Sequence, residues 1–110
     1  MTTTQEQVRE ALEATGEAEG DLVCFYRPPY YIAPVHITPK PTLVRCSVAE
    51  LPTREYDAGY GGVEGEEVIC FGPRYVYFRA TYDGAEWITS APRNPEVLTE
   101  ATDLIAIGGG

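Results

Sequence analysis

The chain has 110 residues, enough for one domain with a single modest core. A hydrophobic share of 44% and a charged share of 23% are those of a globular protein and exclude general disorder. Seventeen acids against eight bases give a net charge of −9, with Lys40 the one lysine, which excludes a basic footprint for direct nucleic-acid binding.

The first element is a helix over residues 4–15, TQEQVREALEAT. Thr3 or Thr4 can cap it, Glu6 follows Thr3 at capping-box spacing, and Gly16 can end it. Val8, Ala11, Leu12 and Thr15 share one narrow apolar face, so the helix needs a sheet or another molecule to hold it. Arg9 is spaced to pair with Glu6 and Glu13 on the solvent side. DLVCFYR, residues 21–27, reads as a strand with apolar residues on both faces and therefore a place inside the sheet.

Five prolines then interrupt residues 28–41. They cannot donate ladder hydrogen bonds, so this is a proline-rich edge arm, carrying Tyr30 and Tyr31 as candidate contacts. TLVRCSV, residues 42–48, is a further strand, followed by a turn near Pro52. Glycines 59, 61, 62 and 65 make residues 49–65 a long loop, and such loops are usually functional or mobile. Tyr56 and Tyr60 on it are candidate partner contacts.

Residues 66–90 form a three-stranded meander. Asp83-Gly84 is a tight-hairpin signal and sets Tyr82 opposite Ala85, Ala80 opposite Trp87 and Phe78 opposite Thr89. A tight Gly72-Pro73 turn would set Cys70 opposite Tyr75 and Val68 opposite Tyr77. Val76, Phe78, Ala80, Tyr82, Trp87 and Thr89 then share the face expected to be core. Tyr75, Tyr77, Arg79, Thr81, Glu86 and Ile88 share the other, since strand side chains alternate. Asn94-Pro95 starts a short C-terminal helix, and 108–110 is a glycine tail.

The expected fold is α+β: an N-terminal helix packed on a mostly antiparallel five- or six-stranded sheet, with the proline-rich edge arm and the C-terminal helix, all in one domain spanning 1–110. No apolar run approaches the roughly 20 residues of a membrane span. The polar, acidic start is unlike a secretory signal, so the expected location is cytoplasmic, meaning host cytosol or virion for a viral protein.

No catalytic constellation stands out. His36 is the one histidine and lacks an i+4 ligand partner, and Cys24, Cys46 and Cys70 are widely spaced, a pattern of buried thiols and not of zinc ligands or a disulfide framework. No metal and no cofactor are expected. The glycines around Tyr60 lack the Lys-Ser/Thr of a phosphate loop. Tyr75, Tyr77 and Arg79 make an aromatic platform suited to a protein hot spot. Glu64, Glu66 and Glu67 belong to one of two acidic blocks, residues 1–21 and 55–67, that could meet in a negative patch.

The expected function is thus a non-catalytic, acidic protein–protein interaction protein, a subunit of a larger assembly such as an accessory phage virion protein. Its partner would be a further copy or another subunit, with no nucleic acid and no membrane. Two other classes fit the same residues. One is a small acidic inhibitor that mimics nucleic acid in a basic groove, of the anti-CRISPR or anti-restriction type. The other is a small enzyme using a cysteine or carboxylates.

Overall fold

The computed structural model describes residues 1–27, 43–59 and 65–94. One helix, α1 (Thr4–Thr15), packs on an antiparallel sheet of β1 (Val23–Arg27), β2 (Val44–Cys46), β3 (Glu67–Phe71), β4 (Tyr75–Tyr82) and β5 (Ala85–Pro92), in the order β2-β1-β3-β4-β5. The α+β class and the helix-on-sheet arrangement are as expected. The proline arm, with Tyr30 and Tyr31, and the C-terminal helix and tail lie outside the described residues. No helix among the described residues is long and apolar enough to cross a membrane.

The helix begins and ends where its caps require. Thr3 accepts a hydrogen bond from the Glu6 amide at 3.0 Å, and Gly16, at φ 76°, donates its own amide to the Leu12 carbonyl. A residue with a side chain would adopt that left-handed conformation only under strain. Arg9 does not pair with Glu6 and Glu13. Its guanidinium grips Glu19 through two bonds of 2.9 Å and reaches Gln5 at 3.1 Å, because the 3-10 turn at Glu19–Asp21 brings a carboxylate beside it.

β1 lies between β2 and β3, as its two apolar faces predict. The Asp83-Gly84 hairpin has the anticipated register, Tyr82 opposite Ala85 and Ala80 opposite Trp87, with positive φ at both turn residues. The β3–β4 turn differs. Pro73-Arg74 is the two-residue loop, closed by the Gly72 amide on the Tyr75 carbonyl at 2.8 Å, so Cys70 opposes Tyr77 and not Tyr75. A slip of two residues leaves every side chain on its expected face.

The faces themselves are assigned the other way round from expectation. α1 covers the side carrying Tyr77 and Ile88, which are 0% and 7% exposed. Around them the core gathers Val8 and Leu12 of α1, Leu22, Cys24, Val48, Leu51, Val68 and Cys70. Trp87, Phe78 and Val76 are half-buried on the opposite, outer side.

The reversal has a physical reason in α1. Its buried face includes Thr4 and Gln7 beside Val8 and Leu12, and buried polar side chains require partners. Arg79 and Glu86, on the Tyr77 side, supply them. Trp87→Ala is accordingly expected to cost only about 1–2 kcal/mol, the worth of a partly buried aromatic, read from the shift of the urea midpoint. A loss of about 4 kcal/mol would mean that Trp87 is core.

Candidate functional site

Three places concentrate chemistry: a buried polar cluster under α1, the phenol of Tyr77, and the outer face of the sheet. The polar cluster centres on Arg79. Its Nε donates to the Glu66 carbonyl at 3.0 Å, Nη1 to Gln7 Oε1 at 2.7 Å and Glu86 Oε1 at 3.0 Å, and Nη2 to Thr4 Oγ1 at 3.0 Å. The side chains of Arg79 and Glu86 are only 7% and 1% exposed.

The surrounding groups satisfy one another in turn. The Gly65 amide donates to Glu86 Oε1 at 2.9 Å, Gln7 Nε2 to the Glu86 carbonyl at 2.9 Å, and Thr4 Oγ1 to Glu66 Oε2 at 3.2 Å. Glu66 Oε1 makes no hydrogen bond and lies 3.4 Å from an Arg54 nitrogen. Tyr56 donates its hydroxyl to Gln7. The Arg54 and Arg79 guanidiniums lie over its ring at 5.6 and 5.5 Å, in cation–π range. Burial pushes the Tyr56 phenol up.

Such an arrangement is a clamp. Four of the five N–H groups a guanidinium carries are committed to protein acceptors. An anion arriving from solvent would have to displace Glu86 or part α1 from the sheet. The cluster ties four stretches of the chain: the start of α1, the Tyr56 segment, Gly65-Glu66 ahead of β3, and β4 with β5.

The expected partner contacts therefore separate. Tyr77 and Arg79 face inward, Tyr75 is half-buried against the core, and Glu66 is 3% exposed. A partner could reach Tyr77 and Arg79 only by removing α1, so they form no external platform. Tyr56 is 2% exposed and is pinned by paired backbone bonds with Thr2 of 2.9 and 2.8 Å. In the described part of the glycine-rich stretch, Leu51 and Tyr56 thus turn inward while most of their neighbours stay exposed. Glu67 remains on the surface, paired with Arg27. Tyr60 and Glu64 lie outside the described residues.

Tyr77 closes the other end of the helix. Its hydroxyl donates to Glu17 Oε1 at 2.6 Å and meets Thr15 Oγ1 at 2.7 Å. Burial pushes this phenol well above its ordinary value, and the Glu17 carboxylate adds to that. Glu17 also accepts the Arg74 amide at 2.9 Å, so one carboxylate joins the helix end to the β3–β4 turn. A shallow depression here, lined by Arg9, Leu12, Glu13, Gly16, Glu17 and Glu19, has its Arg9, Glu17 and Glu19 already engaged with protein groups.

Comparison with protein-family models, curated proteins and solved structures returned no match. The geometry itself must therefore carry the reading, and its outer sheet face is the surface that offers one.

That face is built in rows. Arg45, Phe25, Ile69, Phe78 and Thr89 stand opposite one another across all five strands, and Val23, Phe71, Val76 and Ala91 form the next row. Phe25 and Phe71 meet edge to face at 6.1 Å. Arg45 lies over the Phe25 ring at 5.8 Å. Ile69 and Phe71 are each 37% exposed, and Tyr82 at the hairpin tip 75%. Exposure is concentrated on β3 and the hairpin tip, for Thr89 on β5 is buried.

Sequence alternation alone does not single out these outer residues, because both faces of β3 and β4 are apolar or aromatic. A signal was present in β3. In EVICF, Ile69 and Phe71 alternate with Val68 and Cys70, so both sides of that strand are apolar and one of them must lie away from α1.

Proposed function

We propose that the protein is a non-catalytic, acidic interaction subunit that packs through its outer sheet face against further copies of itself within a larger assembly. The observation that carries this is the exposure of Ile69 and Phe71 in the middle of a sheet, joined by Phe25 and Phe78 in the same rows. Contiguous exposed apolar surface marks an interaction site. A sheet face suits self-pairing, since two such faces can pack about 10 Å apart with interdigitated side chains. Symmetric dimers are also the commonest oligomers.

The charge distribution agrees. Within the acidic blocks, Glu19, Glu66 and Glu67 are engaged by arginines, and Glu86 by Arg79. The outer face carries Arg45 and the Arg27–Glu67 pair beside its apolar centre. Among the described residues the acid excess lies elsewhere, as on the exposed Glu10 and Glu13 of α1, so the face escapes much of the self-repulsion that a charge of −9 imposes. The nucleic-acid-mimic reading would instead need those carboxylates free and clustered.

Ile69→Lys tests the proposal. The change lowers the net negative charge, so lost association cannot be blamed on added repulsion. Association should fall at least about tenfold on burying an ammonium in an apolar contact, while the urea midpoint changes by about 1 kcal/mol or less, as for an exposed strand position. Unchanged association would remove this face from the interface.

A further inference from the structure

The three cysteines are far apart in sequence yet stand in one row. Cys46 of β2, Cys24 of β1 and Cys70 of β3 are direct cross-strand partners, and all three are free thiols. The row continues into Tyr77 and Ser90. Cys24 and Cys70 are fully buried, whereas Cys46, on a three-residue edge strand, is half-buried.

The backbone pattern distinguishes the two pairs. The Gly72 amide bonds the Tyr75 carbonyl, and alternation along an antiparallel ladder then makes Cys70–Tyr77 a hydrogen-bonded pair and Cys70–Cys24 a non-hydrogen-bonded one. In the latter type the Cα atoms approach to about 4.5 Å and the side chains are closer, within the span a disulfide accepts. Cys24–Cys46 is the wider, hydrogen-bonded type, about 5.5 Å between Cα atoms and still bridgeable.

We propose that this row is a thiol oxidation site for a small hydroperoxide, with Cys46 as the entry thiol and a Cys24–Cys70 cross-strand disulfide as the end product. Cys46 thiolate attacks the outer peroxide oxygen, the O–O bond breaks, and the remainder leaves as an alcohol, or as water from hydrogen peroxide. Cys46 is now a sulfenic acid. The Cys24 sulfur attacks the Cys46 sulfur, and the departing hydroxide takes the thiol proton to leave as water. Cys70 then attacks Cys24, breaking the Cys24–Cys46 bond, and its thiol proton passes to the leaving Cys46 sulfur, which returns to the thiol.

The balance is two thiols oxidised by two electrons and one peroxide reduced, and two equivalents of a small thiol reverse it by exchange through Cys46, leaving as their own disulfide. The adjoining Cys70 thiol holds the Cys24 thiol below its ordinary value, so the central cysteine is the readier nucleophile of the interior pair. Burial holds Cys46 above its ordinary value, so entry is slow at neutral pH and quickens as pH rises.

The full chain is treated with hydrogen peroxide, alkylated in denaturant and digested with trypsin without reduction. Cleavage after Arg45, Arg54 and Arg74 puts each cysteine on its own peptide. Mass spectrometry should find the Cys24 and Cys70 peptides linked and Cys46 alkylated. Cys46→Ser, checked for folding by circular dichroism, should give the same link about tenfold more slowly, as loss of the one accessible thiolate requires. The proposal is overturned by three results: no linked peptide, Cys46 over-oxidised without a disulfide, or a Cys46→Ser variant that oxidises at the parent rate.

Discussion

Replacing Tyr77 with alanine is expected to destabilise the domain by about 3–5 kcal/mol, the range for deleting a large buried aromatic. The ring is fully buried between α1 and the sheet. Its removal also leaves Glu17 and Thr15 without the hydroxyl they share. A small domain has a total stability of about 5–15 kcal/mol, which a loss of this size can exhaust, and Tyr77→Phe provides the graded comparison. That change keeps the ring and should cost about 1–2 kcal/mol, the worth of a hydrogen bond to a carboxylate. Urea titration followed by far-UV circular dichroism measures both. A cost below about 1 kcal/mol for the alanine variant would mean that this face is not covered by α1.

Arg79→Ala should be comparably severe, about 3–5 kcal/mol, because removing one partner of a buried pair leaves the other charge uncompensated. Glu86 would lose its arginine, while Thr4, Gln7 and the Glu66 carbonyl would lose a donor. Glu86→Gln removes the charge but keeps an amide that can bond, and about 1–3 kcal/mol is expected. The double variant should cost less than the sum of the two single changes, with a coupling energy of about 1–3 kcal/mol for groups in one network. Additivity within about 0.5 kcal/mol would show that the two side chains do not act as a pair in solution.

Where sequence logic was local, it was sufficient. The cap residues Thr3 and Gly16 delimit α1, and Asp83-Gly84 sets the hairpin register, because each acts within a few residues of itself. The choice of core face was not local. Both sides of β4 are aromatic, Tyr75 and Tyr77 against Val76 and Phe78, so hydrophobicity cannot choose between them. The deciding residues are Thr4 and Gln7, polar groups on the helix's inner face, whose partners become visible only once helix and sheet are docked.

Tyr56 shows the same limit. A glycine-rich neighbourhood suggested an exposed loop, yet its backbone pairs with Thr2, a contact that no short-range pattern announces. The thiol row arises likewise from strand pairing between distant segments. Of the candidate contacts described, Glu67 lies at the surface, on the same face of the same strand as Ile69 and Phe71, a side that the sequence pattern alone assigns to the core.

The most direct test of the assembly role is the mass of the protein in solution, by light scattering at low and at high salt. Apolar contact across the outer sheet face predicts an oligomer whose mass is kept or increased at high salt, since screening weakens repulsion between like-charged copies and leaves hydrophobic contact intact. A monomer at both salt concentrations, or an oligomer that dissolves as salt is raised, would contradict it.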